Sequence, residues 1–376
     1  MKSPLLDRSG AVADTSADEK IAAHYGEPLR EQRLLVDSRA VVDQSNFGVV
    51  TVTGPDRLSW LHSLTSQHLT DLPAGRCVET LVLDPQGRIE HAAQLVDDGE
   101  TTWLITEGDH AEDLAKWLDS MRFMLRVEVT DVTDQWAVLG YSDPDGTLTT
   151  RLQPAVVWDD PWPGVLPGGT RYGAEQDEHA GARWYWRLGL VPREELADRV
   201  ADIPLAGSWA AEALRIEAGR PRLDREVDDC ALPHELDWLR TAVHLEKGCY
   251  RGQESIARVH NMGRPPRRLV LLLVDGSSHE LPQAGMKVST EKKDVGVVTS
   301  AAQHHELGPI ALALIRRNTK PDEPLWVDGM AAAQEALVSP EGISADRPAP
   351  QPKVPRGAAP PKRGPQPPQA PPQSKP

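Results

Sequence analysis

Three apolar runs, at residues 78–83, 89–96 and 103–105, are separated by two short turn sequences, Asp84-Pro85-Gln86-Gly87 and Asp97-Asp98-Gly99. Proline presets one turn position and glycine accepts a positive φ, so the chain reverses locally at both places. Strands joined by two such reversals run antiparallel, and the expected product is a three-stranded meander. The flanking sequence adds to it. Phe47 to Gly54 is β-branched and bounded by glycine, and Asp56 stands where a helix cap belongs, ahead of Leu58, Leu61, Leu64 and Leu69 at helical spacing. Leu114, Trp117, Leu118 and Met121 mark one face of a second helix, and residues 127–129 and 136–139 return to strand. The pattern predicts an α+β fold in which an antiparallel sheet carries its helices on one face.

Beyond this region the periodicity breaks. Residues 158–173 are rich in Pro, Gly and Trp and read as loops; Ser208 then stands as the cap of a helix through Ala218, with Gly219 as its stop. Short strands follow at 269–274, 286–289, 295–300, 310–315 and 325–327, a spacing that suits a small C-terminal β-barrel. The expected organisation is a flexible N-terminal arm at 1–28, an α+β region at 29–255, a barrel domain at 256–340 and a tail at 341–376. From Arg347 to Pro376 there are twelve of the 33 prolines, six Lys or Arg and no acidic residue. That composition predicts disorder, serving as a solubilising extension or for docking to a partner.

A formal charge of −15 argues against direct nucleic-acid binding, which needs a surplus of cations on at least one face. No apolar run is long enough to span a membrane, and no signal-peptide pattern follows Met1, so a cytoplasmic protein is expected. Cys77, Cys230 and Cys249 are too few and too dispersed for a disulfide framework, a zinc site or an iron–sulfur cluster. His304-His305-Glu306 resembles a metal tripod, but adjacent residues do not converge on one ion, so no metal site is expected.

One stretch carries chemistry. Lys247-Gly248-Cys249-Tyr250-Arg251-Gly252-Gln253-Glu254 places a thiol between two glycines, ahead of a helix that starts near Gln253. A helix N-terminus and the cations of Lys247 and Arg251 would favour thiolate at Cys249; a small apolar residue in a turn is the competing reading. No His or Asn is placed by sequence to complete a cysteine hydrolase.

The same run resembles the Lys-Gly-Cys-Tyr-x-Gly-Gln-Glu signature of the YgfZ family, relatives of the glycine-cleavage T-protein. Ala213-Leu214-Arg215-Ile216-Glu217-Ala218-Gly219 resembles the Leu-Arg-x-Glu-Ala-Gly helix of both groups. Residues 296–300 and 310–316 resemble the C-terminal barrel of the superfamily. The resemblance covers about residues 26–340. It implies a T-protein-like tetrahydrofolate-binding fold with a central cavity, tetrahydrofolate or a derivative as cofactor, and iron–sulfur client enzymes or assembly proteins as partners, tRNA-modifying enzymes among the clients. In this reading Cys249 is the redox or covalent residue, and Lys247, Gly248, Tyr250, Gly252, Gln253 and Glu254 shape its loop. Arg215 and Glu217 are candidates for binding folate, and His91 is a third. Trp158, Trp162, Trp184 and Trp186 are available to stack on a ligand or to anchor the core.

One departure separates the chain from T-proteins, which place paired aspartates after a Gly-Gly-Ile type turn. Here the run is Gly87-Arg88-Ile89-Glu90-His91-Ala92-Ala93, without aspartate. Strand alternation sends Glu90 and His91 to opposite faces, so both do not serve one pocket. An accessory folate-binding role is therefore expected ahead of aminomethyl transfer. The alternatives are a folate-dependent aminomethyltransferase of T-protein type, and a non-catalytic folate-responsive scaffold with an inert cysteine.

Overall fold

The computed structural model describes residues 2–348, apart from 16, 17 and 19. The expected meander forms from Cys77–Leu83, Ile89–Asp97 and Thr101–Thr106, and it is extended by Gly48–Thr53 and Glu128–Asp131 into a five-stranded antiparallel sheet. Helices Arg57–Leu64 and His110–Ser120 cover one face: Trp60, Leu61, Leu114 and Leu118 pack on Val50, Val52, Leu95 and Leu104. Alternation along the strands turns the other face, with Val49, Leu81, Ala92 and Val96, toward a larger core.

That core is shared with a second sheet, which the sequence pattern did not separate from the first. Its strand order is Val156–Asp159, Trp186–Pro192, Trp136–Ser142, Val41–Asp43 and Leu205–Ala206, the last pair parallel. Residues 136–139, expected in one sheet with 127–129, pair instead with Trp186–Pro192 and Val41–Asp43. Two- and three-residue strands are too short to show a period, which is why the second sheet is hidden in the sequence. The third layer is a closed barrel of Arg267–Val274, Gly308–Arg316, Asp294–His304, Lys287–Ser289, Leu325–Val327 and Met330–Ala336. The last of these strands was not expected, because its alanines carry no hydrophobic alternation.

Five local expectations need correction. Asp56 does not cap its helix; its carboxylate takes the backbone N–H and guanidinium of Arg126. That helix ends at Leu64, so Leu69 lies beyond it. Ser208 is the first residue of its helix, after Gly207, and its hydroxyl donates to Asp14 Oδ2 at 2.6 Å. Finally, the described part of residues 1–28 is not a loose arm. Leu5 is fully buried with Val41, Leu139 and Tyr141, and Ala22–His24 lies against helix Ser208–Glu217. The helix Gln253–Met262 runs across the expected 255/256 boundary, and the barrel begins at Arg267. Most of the proline-rich tail, 349–376, lies outside the described residues.

Candidate functional site: a central cavity

Where the two sheets meet helix Ser208–Glu217, the structure forms a half-open cavity with about 630 Å³ of atom-free space, solvent at its mouth included. Each wall follows from a local rule. Ser208, Ala211, Glu212 and Arg215 recur at one-turn spacing and so share the helix face turned inward. Trp186 and Leu188 alternate inward from one strand, Trp158 comes from its neighbour, and Gln94 comes from strand Ile89–Asp97. Gly140 leaves room for this wall, since a Cβ there would lie 1.9 Å from Gln44 Oε1 and 2.6 Å from the Trp186 ring.

Three arginines frame the cavity. Arg215, 5% exposed, donates from Nε to Glu212 at 2.9 Å, from Nη1 to Glu226 at 2.9 Å and from Nη2 to Ser300 Oγ at 2.6 Å. Arg220 donates to Glu79 at 2.6 Å and Asp160 at 2.9 Å. Arg222 reaches Glu107 at 2.8 Å and Glu212 at 3.2 Å, and its guanidinium lies 5.5 Å from the Phe47 ring centre. Burial alone would raise the Glu212 carboxyl, but Arg215 and Arg222 hold it well below the usual carboxylate range. Asp160 moves the other way: burial, aided by the charge on Glu79, raises it against the pull of Arg220.

Four residues that line the cavity each carry a buried polar atom with no partner among the described residues: Gln44 Oε1, Asn46 Oδ1, Gln94 Oε1 and, within the arginine frame, Arg220 Nη1. Unpaired buried polar groups cost about 1–3 kcal/mol each, and the four residues that carry these line one space, which makes it the place to look for a ligand. Three amide acceptors and one cationic donor call for a ligand with several N–H donors and a carbonyl acceptor. Trp184 and Trp186, stacked with ring centres 4.9 Å apart, and Trp158 supply flat apolar walls.

The expected folate residues divide. Arg215 lines the cavity. Glu217 does not: two residues further along the helix is a rotation of about 200°, and Glu217 is half-exposed and pairs with His304 Nε2 at 3.2 Å. His91 lies on the opposite face of its sheet, in a small apolar pocket with Leu61, Leu114 and Leu118. Burial pushes its imidazole down to about 4. Glu90 sits at the strand's solvent end, where the pairing register skips it between Ile89 and His91, and it pairs with Arg251 at 2.5 Å. Gln94, overlooked in the sequence, follows from Ala92 by counting in twos along the strand. Gln44, Asn46, Arg220 and Arg222 sit in connections and carry no periodic signal. Trp162 is a core anchor whose Nε1 donates to Ala218 O at 2.9 Å.

None of residues 247–254 lines the cavity. Their loop packs instead on the 84–87 turn. Gly252 sits at φ +84°, with Asp84 O 2.6 Å from where a Cβ would be, and opens helix Gln253–Met262. Lys247 Nζ is turned inward, donating to the carbonyls of His62, Thr65 at 2.5 Å and Gln67 at 2.9 Å, and lies 5.0 Å from the Tyr250 ring centre. Burial pushes its ammonium down to about 7, while the carbonyl acceptors and the ring favour the charged form. Gln253 Nε2 donates to Lys247 O at 3.1 Å, and Glu254 pairs with Arg258 on the surface. Cys249, beside the unobstructed Gly248, is exposed. Both cations expected to support a thiolate, Lys247 and Arg251, thus face other partners. Among the described residues, no three His, Cys, Asp or Glu side chains are grouped to hold a metal ion, and no helix is long and apolar enough to cross a membrane.

Comparison with known proteins agrees with this architecture. Residues 5–147 match the model of the GCVT N-terminal domain. The chain is 27% identical over 314 residues to an aminomethyltransferase of Moorella thermoacetica, covering 78% of this chain and 83% of the relative. It is 26% identical over 329 residues to an aminomethyltransferase of Streptomyces coelicolor, covering 81% and 86%. The crystal structure of the glycine cleavage system aminomethyltransferase T from Bartonella henselae superposes with a TM-score of 0.69 over 90% of this chain and 97% of that one, at 18% identity. The fold is that of the T-protein, and the matches support membership of the T-protein superfamily.

Proposed function

We propose that the central cavity binds a reduced folate and that the chain acts as a YgfZ-like accessory protein for iron–sulfur enzymes. The observation that carries the folate reading is the group of unpaired buried polar atoms on Gln44, Asn46, Gln94 and Arg220. A pterin ring is flat, presents several N–H donors and carries one carbonyl oxygen. The amide oxygens would accept from its N–H groups, Arg220 Nη1 would donate to the carbonyl, and the tryptophan faces would hold the ring plane. A reduced folate carries one-carbon units on its ring nitrogens. Toward it, this chain's residues bind, orient and exclude water.

The accessory reading draws on a different observation. The carboxylates of Glu107, Asp160 and Glu212 at the cavity are engaged by arginine, and His91 and Ala92, which stand where T-proteins place their aspartates, supply no carboxylate. Asp18, the remaining acid of the lining, pairs with Arg225 at 2.9 Å, so among the described residues each carboxylate of the cavity already faces an arginine and none is offered as a base at the ring nitrogens. In the accessory role Cys249 is the exposed residue that meets the client, and the buried contacts of Lys247, Tyr250 and Gly252 hold its loop in place.

Tetrahydrofolate titrated into the protein is expected to quench the fluorescence of the tryptophans beside the cavity, and Gln94→Leu to weaken that response about tenfold. Absence of any response would overturn the folate reading. The accessory role is tested separately, by whether a Cys249→Ser variant fails to support iron–sulfur enzyme activity under oxidative stress; support equal to the parent would remove the thiol from the proposal. Turnover of an aminomethyl donor with tetrahydrofolate would overturn the accessory reading in favour of a transferase.

A further inference from the structure

A second concave surface lies on the outside of the barrel, away from the folate cavity. Strand pairing sets Trp326 beside Ala331, and Ala333 beside Leu273, while Leu325 and Val327 point into the barrel core. The result is an apolar floor of one tryptophan, two alanines and one leucine, within an open groove enclosing about 1050 Å³ of atom-free space. Asp275, Asp322 and Glu323 form its rim, and no Lys, Arg or His among the described residues lines it. Neither Asp322 nor Glu323 is engaged in an ion pair among the described residues. Such a rim repels phosphate, which excludes nucleic acid and anionic lipid. It suits a cationic segment able to lie along a tryptophan, the combination by which proline-rich sequences are recognised.

The chain carries such a segment. Residues 349–376 hold eleven prolines, five Lys or Arg and no acidic residue. The last described turn tethers it: Arg347 donates to the carbonyls of Asn261 at 3.1 Å and Gly263 at 2.9 Å, just ahead of strand Arg267–Val274. The groove lies at the far end of that strand, about 25 Å on at ~3.3 Å per residue. Ten extended proline-rich residues cover about 30 Å, so a 28-residue segment reaches it. Tethering raises the local concentration, so a weak contact suffices. We propose that residues 349–376 dock intramolecularly on the Trp326 groove, with their cations facing Asp275, Asp322 and Glu323.

The test couples carboxylates to lysines in the full-length protein with a zero-length carbodiimide reagent, and maps the products of the monomer by mass spectrometry. Lys353, Lys362 and Lys375 should couple to Asp275, Asp322 and Glu323 in preference to other carboxylates, and lose that preference in high salt. In an Asp322→Lys, Glu323→Lys variant, coupling to the retained Asp275 should fall about tenfold; Glu323→Lys alone gives the same reading if the pair lowers stability. Even coupling across the whole surface, an Asp275 link unaffected by charge reversal, or links confined to covalent dimers would each overturn the proposal.

Discussion

Gly252 illustrates what a single position carries. Its φ of +84° and the Asp84 carbonyl, 2.6 Å from an added Cβ, leave no other residue unstrained there. Gly252→Ala is expected to lower stability by about 1–3 kcal/mol in urea denaturation. Lys247 is the other fixed point. Replacing it with Met leaves the carbonyls of His62, Thr65 and Gln67 without their donor and should cost about 2–4 kcal/mol in the same assay. Cys249→Ser, by contrast, changes an exposed side chain, and its unfolding midpoint should stay within about 0.5 kcal/mol of the parent. The glycine turn and the cysteine are legible in the sequence. The destination of Lys247 is not, because its acceptors lie about 180 residues away along the chain. The same holds for Arg251, which reads as a cation beside a thiol until its Glu90 partner is seen.

Between elements, paired charges do the joining. Helix Ser208–Glu217, the short helix Leu223–Glu226 and barrel strand Asp294–His304 meet through Arg215, Glu226 and Ser300, all buried. Arg215→Met would leave Glu226 buried without its guanidinium and Glu212 with Arg222 alone, and is expected to cost about 3–5 kcal/mol in denaturant unfolding. Helix His110–Ser120 is tied to Leu223–Glu226 by His110 Nε2 and Asp224, 2.6 Å apart. The hydrogen bond to Asp224 raises the His110 imidazole above 6.5 and lowers the Asp224 carboxyl below 3.8. The His110 contribution is complete below its unfolded value near 6.5 and is lost as pH rises through its higher folded value. The Asp224 contribution is present above 3.8 and is lost as pH falls through its lower folded value. His110→Gln should therefore flatten the decline of the melting temperature above pH 6.5. Helix faces such as 208, 211, 212 and 215 were readable as periodicity, yet which arginine meets which carboxylate was not, since both partners are common surface residues until tertiary contact buries them.

At the scale of the whole molecule, two sheets and helix Ser208–Glu217 close around one cavity, the barrel packs behind that helix, and the N-terminal segment locks the second sheet from outside. Leu5→Ala removes a fully buried side chain from that contact and is expected to destabilise the protein by about 2–4 kcal/mol, measured by chemical denaturation. A loose arm would have shown no effect. The meander, both helices that cover it, the helix before Gly219 and most barrel strands were determined by the sequence, because turn chemistry and hydrophobic period act over a few neighbouring residues. The division into two sheets, the burial of residues near the N-terminus and the convergence of Gln44, Asn46, Gln94 and Arg220 were decided only by tertiary structure. These polar side chains come from segments far apart in the chain, and nothing local distinguishes them from solvated surface groups until the folded core withholds water and leaves their hydrogen bonds unmade.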